Sequence, residues 1–129
     1  MTAPLAPTAR LVTAMFAGSG VLHLVRPQIF EPIVPRVLPA HRELVLASGV
    51  AEIACAAGLL APRTRRVAGI ASAALLLTVL PANVQMALDA QRAVQRRGWT
   101  PQREVMRTGT LLRLPLQAPL VRAAWRAGR

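Results

Sequence analysis

Four polar or ionisable side chains interrupt the apolar stretches of this sequence: His23, Glu52, Asn83 and Arg113. An ionisable group at membrane depth costs about 2.5–3.5 kcal/mol on insertion scales, so each such residue suggests a role. Glu52 needs a proton or a partner, and His23 and Arg113 are candidate partners. Together the four residues predict a polar pocket that could bind a quinone head group or relay a proton. The alternative is a buried Glu52–Arg113 pair, with amide hydrogen bonds that fix helix register.

Other kinds of site lack the residues that they need. His23 and His41 are two separated histidines, which do not make a metal site, and Cys55 is the only cysteine. The sequence contains no glycine-rich phosphate loop, no Ser/His/Asp set and no CxxC motif. We therefore predict no catalytic residue and no metal, and the sequence favours a non-enzymatic protein.

The composition combines hydrophobicity with strong positive charge. The 129 residues are 53% hydrophobic, yet the formal net charge is +11, and all sixteen basic residues are arginine. Disorder is excluded because it requires low hydrophobicity. A nucleic-acid partner is not expected, since the arginines lie at the ends of apolar blocks and aromatic stacking groups are scarce. The arrangement is typical of a protein in contact with a lipid bilayer.

Four apolar runs predict the elements that position these residues. A helix needs about 20 residues to cross a hydrocarbon core, and only helices are compatible with this composition inside a bilayer. The predicted fold is all-α: a four-helix bundle forming a single transmembrane domain over residues 1–129, with spans at about 8–25, 44–61, 67–88 and 108–125. Small residues recur every four positions and would allow close helix packing: Ala14 and Gly18; Ala47, Ala51 and Cys55; Gly69 and Ala73. A signal peptide over the first run is disfavoured, because no cleavage site follows it.

Prolines shape the connections between these spans. Arg26–Glu43 contains four prolines but stays apolar between its charges, which predicts a broken segment at the membrane interface or folded over the helix ends. Pro62–Arg66 predicts a tight turn between antiparallel neighbours. Pro81 predicts a kink that frees a carbonyl near Leu77, with Thr78 helping to satisfy it.

The arginines do not decide the orientation, because seven flank one predicted membrane face and eight flank the other. The compact cluster at Pro62–Arg66 favours cytoplasmic termini. The stretch Gln91–Arg107 carries five arginines, which could be ordinary flanking charges or could bind anionic lipid head groups.

Short motifs between about residues 10 and 125 form an ordered series. They are Gly20-Val21-Leu22-His23-Leu24 with Pro27 and Phe30, Ile33-Val34-Pro35, Leu38-Pro39, Ser48-Gly49 with Glu52-Ile53, Gly58-Leu59-Leu60, Pro62-Arg63-Thr64-Arg65-Arg66, Pro81-Ala82-Asn83-Val84 with Met86-Ala87, and Arg113-Leu114-Pro115-Leu116-Gln117. In order and spacing the series resembles the DoxX-like family of small four-helix integral membrane proteins, most closely its uncharacterised bacterial branch. The chain departs from that pattern at Leu24-Val25, where an aromatic residue is expected, and in its arginine content.

The resemblance implies a multi-pass protein of the bacterial cytoplasmic membrane. Relatives are linked to thiosulfate:quinone oxidoreduction as membrane subunits and to membrane-associated oxidative-stress complexes, but the resemblance assigns no catalytic residue. We predict a non-enzymatic structural or partner-binding subunit. One alternative is a quinone-linked subunit of an oxidoreductase, with a soluble redox protein as its partner. Another is a small-solute transporter, which would need a homo-oligomer because the two halves show no clear repeat.

Overall fold

The computed structural model describes residues 3–127 and 129, and its regular structure is helical. Two single 3₁₀ turns lie between the first two α-helices, at Pro27–Ile29 and Glu31–Ile33. The five α-helices are α1 (Pro7–Val25), α2 (His41–Leu60), α3 (Arg65–Thr78), α4 (Leu80–Arg97) and α5 (Pro101–Arg126). The predicted all-α class is therefore confirmed.

The predicted four-helix bundle is wrong, because the third predicted span is two helices. α3 ends at Thr78 and α4 begins at Leu80, with Val79 between them. Pro81 occupies the first turn of α4, where its missing N–H does no harm, whereas the same ring would clash with a carbonyl in a continuous helix. The proline thus ends one helix and begins another, where the sequence suggested only a kink.

Three helical segments are long and apolar enough to cross a membrane: Pro7–Val25, His41–Leu60 and the combined segment Arg65–Arg97. They coincide with the first three predicted spans and support an integral membrane protein. α5 covers the fourth predicted span, 108–125, but does not join this set. Pro115, Pro119, Gln117 and the arginines of α5 lower its mean hydropathy, so a fourth span is not supported.

Large apolar side chains cover much of the outer surface. In the second segment, only 33% of the most apolar window is buried inside the protein. Exposed residues of this kind occur on every helix and include Val25, Val50, Val67, Leu88 and Val105. A soluble monomer rarely exposes so much contiguous apolar surface. A hydrocarbon environment around the helices accounts for this distribution.

α1 and α2 approach each other most closely at two glycines. A β-carbon placed on Gly20 would lie 2.7 Å from Cγ1 of Ile53 and 2.9 Å from the carbonyl oxygen of Gly49. A β-carbon placed on Gly49 would lie 2.7 Å from Cβ of His23. Gly18, which belongs to the predicted small-residue series, has no atom within 4 Å of such a β-carbon. A close contact between small residues therefore exists, but it uses Gly20 and Gly49, neither of which belongs to the predicted series.

A second region of packing joins α1 and α2 to α3 and α5. Its buried members come from α1, α2, α3 and α5: Val12, Phe16, Cys55, Ala56, Leu59, Ala68, Ala73, Leu76 and Ala124. Cys55 is a free, buried packing residue there, as its apolar run predicted. The proline-rich connection packs against α1, α2 and α4, and so closes the space between these helices on one side.

The glycine contact yields a stability prediction. We expect Gly20→Ala and Gly49→Ala each to lower the free energy of unfolding by about 1–3 kcal/mol, because the added methyl group must displace packed atoms. The measurement is the thermal unfolding midpoint of the purified protein in detergent.

The matched control is Gly18→Ala, in the same helix as Gly20. Its added methyl group meets open space, and alanine has the higher helix propensity, so stability should be unchanged or raised by up to about 1 kcal/mol. Equal effects at Gly18 and Gly20 would contradict the close helix contact.

Candidate functional site

A cavity of about 650 Å³ lies between α1, α2, the α3–α4 break and the proline-rich connection. We call it the central cavity. Most of its wall is apolar, with side chains such as Leu22, Phe30, Val45, Leu75 and Met86. All four residues of the predicted polar pocket line it, together with three hydroxyl side chains: His23, Glu52, Asn83 and Arg113; Ser19, Ser48 and Thr78. The structure therefore brings the four residues to one space, although they come from four different helices.

His23 and Glu52 form the polar centre of this wall. Nδ1 of His23 lies 3.4 Å from Oε2 of Glu52, and both side chains are largely buried, with 13% and 8% of their surface exposed. The two residues flank the Gly20–Gly49 contact: Cβ of His23 adjoins Gly49, and Cβ of Glu52 adjoins Gly20. The close approach of α1 and α2 is therefore what sets this pair at contact distance.

The imidazole of His23 is held in a defined orientation. Nδ1 donates a hydrogen bond of 2.6 Å to the carbonyl oxygen of Ser19, one turn earlier in α1. A carbonyl can only accept, so Nδ1 carries a proton, and neutral His23 has its free lone pair on Nε2. Phe30, from the proline-rich connection, stacks on the ring at 3.8 Å between centroids, with 10° between the planes. Nε2 of neutral His23 is thus an available acceptor in a fixed position.

Two buried oxygen atoms in the cavity wall lack hydrogen-bond partners among the described residues. They are Oγ of Ser48 and Oε2 of Glu52, one helical turn apart in α2. Oε2 lies near Nδ1 of His23, but that N–H is directed at Ser19. Buried polar atoms are nearly always hydrogen-bonded, so an unpartnered pair calls for an explanation. Ser48 and Glu52 both line the cavity, so a rotation of either side chain would let these atoms accept from, or in the case of Ser48 also donate to, a molecule there.

Asn83 belongs to a different polar cluster, whose members are joined by hydrogen bonds. Its side-chain amide donates a 3.3 Å hydrogen bond to Oε1 of Gln117 in α5. The amide of Gln117 in turn donates to the carbonyl oxygen of Leu76, near the end of α3. Thr78 does not supply the hydrogen bond that was predicted at the α3–α4 break, because its hydroxyl donates to the carbonyl oxygen of Ala74, one turn earlier in α3. Gln117, and not Thr78, therefore joins the α3–α4 break to α5.

Gln117 was missed as a candidate residue, although it stands in the last motif of the resemblance. The available signal was a buried amide within an apolar helix, which is costly unless it is hydrogen-bonded. Gln117 is 7% exposed, close to the 8% of Asn83. In the predicted fourth span, the charged side chain of Arg113 was a stronger signal of a polar site than the uncharged amide of Gln117.

Arg113 lines the central cavity but remains exposed to solvent or lipid. Within the part of the chain that the structure describes, no hydrogen bond or ion pair joins Arg113 to Glu52. The buried Glu52–Arg113 pair is therefore not formed. His23 takes that place because α1 and α2 are in direct contact, whereas α5 packs mainly on α3 and α4. Arg113 contributes a positive charge to the cavity wall.

The geometry limits the chemistry of the site. No group of three or more His, Cys, Asp or Glu side chains that could hold a metal ion occurs in the described residues. The polar atoms on the cavity wall are hydrogen-bond acceptors and donors set among apolar side chains. Such a wall suits a largely apolar molecule with a small polar group, which is the usual composition of a small-molecule site.

Comparison with the sequence models of protein families assigns this chain to one of them. The chain belongs to the DUF8561 family. The sequence model of that family, described as a domain of unknown function, matches residues 12–128. No curated protein and no solved structure matches the chain significantly. The matched range contains His23, Glu52, Asn83, Arg113 and the whole central cavity, and the resemblance to DoxX-like proteins remains a prediction.

The hydrogen bonds of Gln117 yield a second prediction. We expect Gln117→Leu to lower the free energy of unfolding by about 1–3 kcal/mol, because it leaves the amide of Asn83 and the carbonyl of Leu76 without their partner. Adding Asn83→Leu should recover part of this loss, since both polar partners are then removed. Thermal unfolding in detergent measures both effects.

Gln102→Leu is the control in the same helix. Gln102 is exposed and makes no side-chain hydrogen bond within the described residues, so its substitution should change stability by less than about 0.5 kcal/mol. Strict additivity of the Asn83 and Gln117 substitutions would show that their side chains do not interact.

Proposed function

We propose that this protein is a non-enzymatic integral membrane protein that holds an amphipathic small molecule in its central cavity. The proposal rests on one observation: two buried, unpartnered oxygen atoms lie in the wall of a mostly apolar space. A ligand with an apolar body and a hydrogen-bonding head group matches both features. The protein would act by binding that ligand or presenting it to a partner, with no chemical step of its own.

Glu52 and Ser48 are the proposed head-group contacts. Glu52 is 6% exposed, so no bulk water competes for its oxygen, and a donor on the ligand would gain a hydrogen bond in apolar surroundings. The hydroxyl of Ser48 can rotate, so it can donate to a carbonyl on the same head group. Arg113 and Asn83 lie on the same cavity wall and would restrict the head groups that are accepted.

A membrane quinone is a second, more specific candidate for the ligand. The observation that favours it is the planar stack of Phe30 on His23, whose Nδ1 lies near Glu52 and whose Nε2 is available as an acceptor. A quinone ring is flat and apolar, and its oxygens can contact Ser48 in the oxidised form or Glu52 and His23 in the reduced form. This reading would make the chain a quinone-binding membrane subunit, with a soluble redox protein as its partner.

We also propose the bacterial cytoplasmic membrane as the location. The three apolar segments support a multi-pass protein, and the resemblance to DoxX-like proteins motivates the choice of membrane. The arginine cluster at Pro62–Arg66 favours a cytoplasmic position for the turn between α2 and α3. A reporter enzyme inserted at this turn tests the orientation, and periplasmic activity would contradict it.

The ligand proposal is tested with two serines whose hydroxyl groups differ in hydrogen bonding. Ser48→Ala removes the unpartnered hydroxyl, so we expect ligand retention to fall about five- to tenfold, as for the loss of one hydrogen bond. Stability without ligand should stay the same or rise, because an unpartnered polar group is removed. The measurement is mass spectrometry of lipophilic molecules that co-purify in mild detergent, together with thermal unfolding.

Ser72→Ala is the matched control, because Ser72 is buried and donates a hydrogen bond to the carbonyl oxygen of Ala68 in α3, away from the cavity. It should reduce stability slightly and leave ligand retention unchanged. If both variants retain the same molecules as the unaltered protein, or if no lipophilic molecule co-purifies at all, the binding function is wrong.

The quinone candidate has its own test. A short-chain ubiquinone or menaquinone analogue, titrated into the purified protein, should bind to the unaltered chain and at least tenfold more weakly to His23→Ala. A retained molecule that is a phospholipid or fatty acid, with no displacement by either quinone, would rule out this candidate and keep the general ligand function.

A further inference from the structure

A second site lies on the proline-rich connection and the C-terminal half of α4. Four arginines and one aspartate line a separate cleft of about 410 Å³: Arg36, Arg92, Arg96, Arg97 and Asp89. We call it the arginine cleft. We propose that it binds a phosphate-bearing anion with at least two negative charges. The inference relies on the membrane location but not on any ligand of the central cavity.

The fold creates this cleft from two distant parts of the sequence. The 3₁₀ turn Glu31–Ile33 packs against α4, which places Arg36, shortly after the turn, opposite the last turns of that helix. Arg92 and Arg96 are four residues apart in α4 and therefore lie on one face of it. The sequence stretch Gln91–Arg107 alone could not show this grouping, because Arg36 lies outside it.

Two arginines of that stretch are already engaged elsewhere. Arg103 donates to the carbonyl oxygens of Arg97 and Gly98, at the end of α4. Arg107 pairs with Glu104 one turn earlier in α5. Neither lines the arginine cleft. The stretch Gln91–Arg107 thus contains arginines that are bound within the protein and arginines that remain available to a ligand.

The charges of the cleft are weakly compensated. Asp89 is its only acid, and its contact with Arg92 is long, at 4.0 Å, between side chains that are about half exposed. The side chains of Arg36, Arg96 and Arg97 form no hydrogen bond or ion pair with the residues that the structure describes. The cleft therefore carries a net charge of about three positive, taking each ionisable side chain as charged.

Phosphate is the anion that best fits several guanidinium groups. Their planar forks bind two phosphate oxygens at once, and converging forks favour an ion with more than one negative charge. A phosphate monoester, a diphosphate or a lipid with two phosphates meets this requirement. A carboxylate, with a single charge, would leave most of the cleft uncompensated.

The depth of the cleft is compatible with a lipid head group. The last turns of α4 carry Asp89, Arg92, Arg96 and Arg97. Charged side chains at the end of an apolar segment are expected beyond the hydrocarbon core, at the level of the lipid phosphates. A free phosphate compound in the adjoining aqueous phase can reach the same residues.

The test measures dissociation constants by calorimetry on the full chain in uncharged detergent at about 0.15 M salt. The probes are dihexanoyl phosphatidic acid, inorganic pyrophosphate and, as an uncharged comparison, dihexanoyl phosphatidylcholine. An arginine near an anionic surface contributes about fivefold in affinity, which corresponds to about 1 kcal/mol. We expect Arg36→Gln with Arg92→Gln to weaken phosphatidic acid binding about 25-fold, and Asp89→Asn to strengthen it about fivefold.

The control is Arg63→Gln with Arg66→Gln, which removes the same charge from two exposed arginines at the far end of the α3–α4 segment. At this salt concentration charges beyond about 8 Å are largely screened, so binding should change by less than twofold. Tight binding of phosphatidic acid alone identifies a lipid head group as the source, and equal binding of pyrophosphate identifies a free phosphate compound.

Three results would overturn the site: no binding of either phosphate probe to the unaltered protein, equal weakening by the two double variants, or equal binding of phosphatidylcholine. Ser48→Ala should leave phosphate binding unchanged. A failure of the arginine cleft is therefore distinguishable from a failure of the ligand proposal for the central cavity.

Discussion

The contact between α1 and α2 at Gly20 and Gly49 is the constraint on which the site depends. Neither backbone could come so close if either glycine carried a β-carbon. The same contact places His23 on one side and Glu52 on the other, so helix packing and the polar pair have one cause. A larger separation would remove His23 from contact with Glu52 and leave the carboxyl group among apolar side chains. The site is therefore a consequence of backbone packing and not only of side-chain chemistry.

The α3–α4 break is the second feature that organises the structure. Inside a bilayer such a break requires hydrogen-bond partners for the backbone groups that it exposes. Backbone groups within a hydrocarbon layer must be satisfied by the protein itself, since no water is available. Where α3 ends, Gln117 supplies a donor to Leu76, and the hydrogen bond from Asn83 holds its amide in position. α5 is thus attached to the break through one side chain. Although α5 is less apolar than the other segments, it is essential to the interior.

The sequence predicted the membership of the polar site well but not its internal pairing. Ionisable and amide side chains in apolar helices are costly when they face lipid, so His23, Glu52, Asn83 and Arg113 could be assigned to one space without coordinates, although Arg113 is exposed. Their pairing depends on which helices are in direct contact: α1 packs on α2, whereas α5 packs mainly on α3 and α4. This is why His23 and not Arg113 adjoins Glu52.

The spacing of small residues and prolines along the sequence predicted the helix contacts and the number of helices less well than the polar residues predicted the site. Gly18 fits a four-residue repeat, yet it faces open space, while Gly20 makes the close contact. A repeat of small residues shows which faces permit close approach, but the partner helix selects among them. Similarly, Pro81 permits either a kink or a new helix, and the outcome depends on whether another element supplies the missing hydrogen bonds. Gln117, 36 positions later, supplies one of them.

The two polar clusters of the interior differ in how their atoms are satisfied, and this difference supports the proposed binding role of the central cavity. A structural cluster in apolar surroundings is stable when its atoms satisfy one another, and the chain builds such a cluster from Asn83, Gln117 and the carbonyl of Leu76. The neighbouring cluster differs, because Ser48 and Glu52 each keep a buried oxygen without a partner. The same fold thus satisfies one set of buried groups and leaves the other open, at the point where the cavity adjoins it. A binding function requires that difference, whereas helix register alone would need only the first cluster.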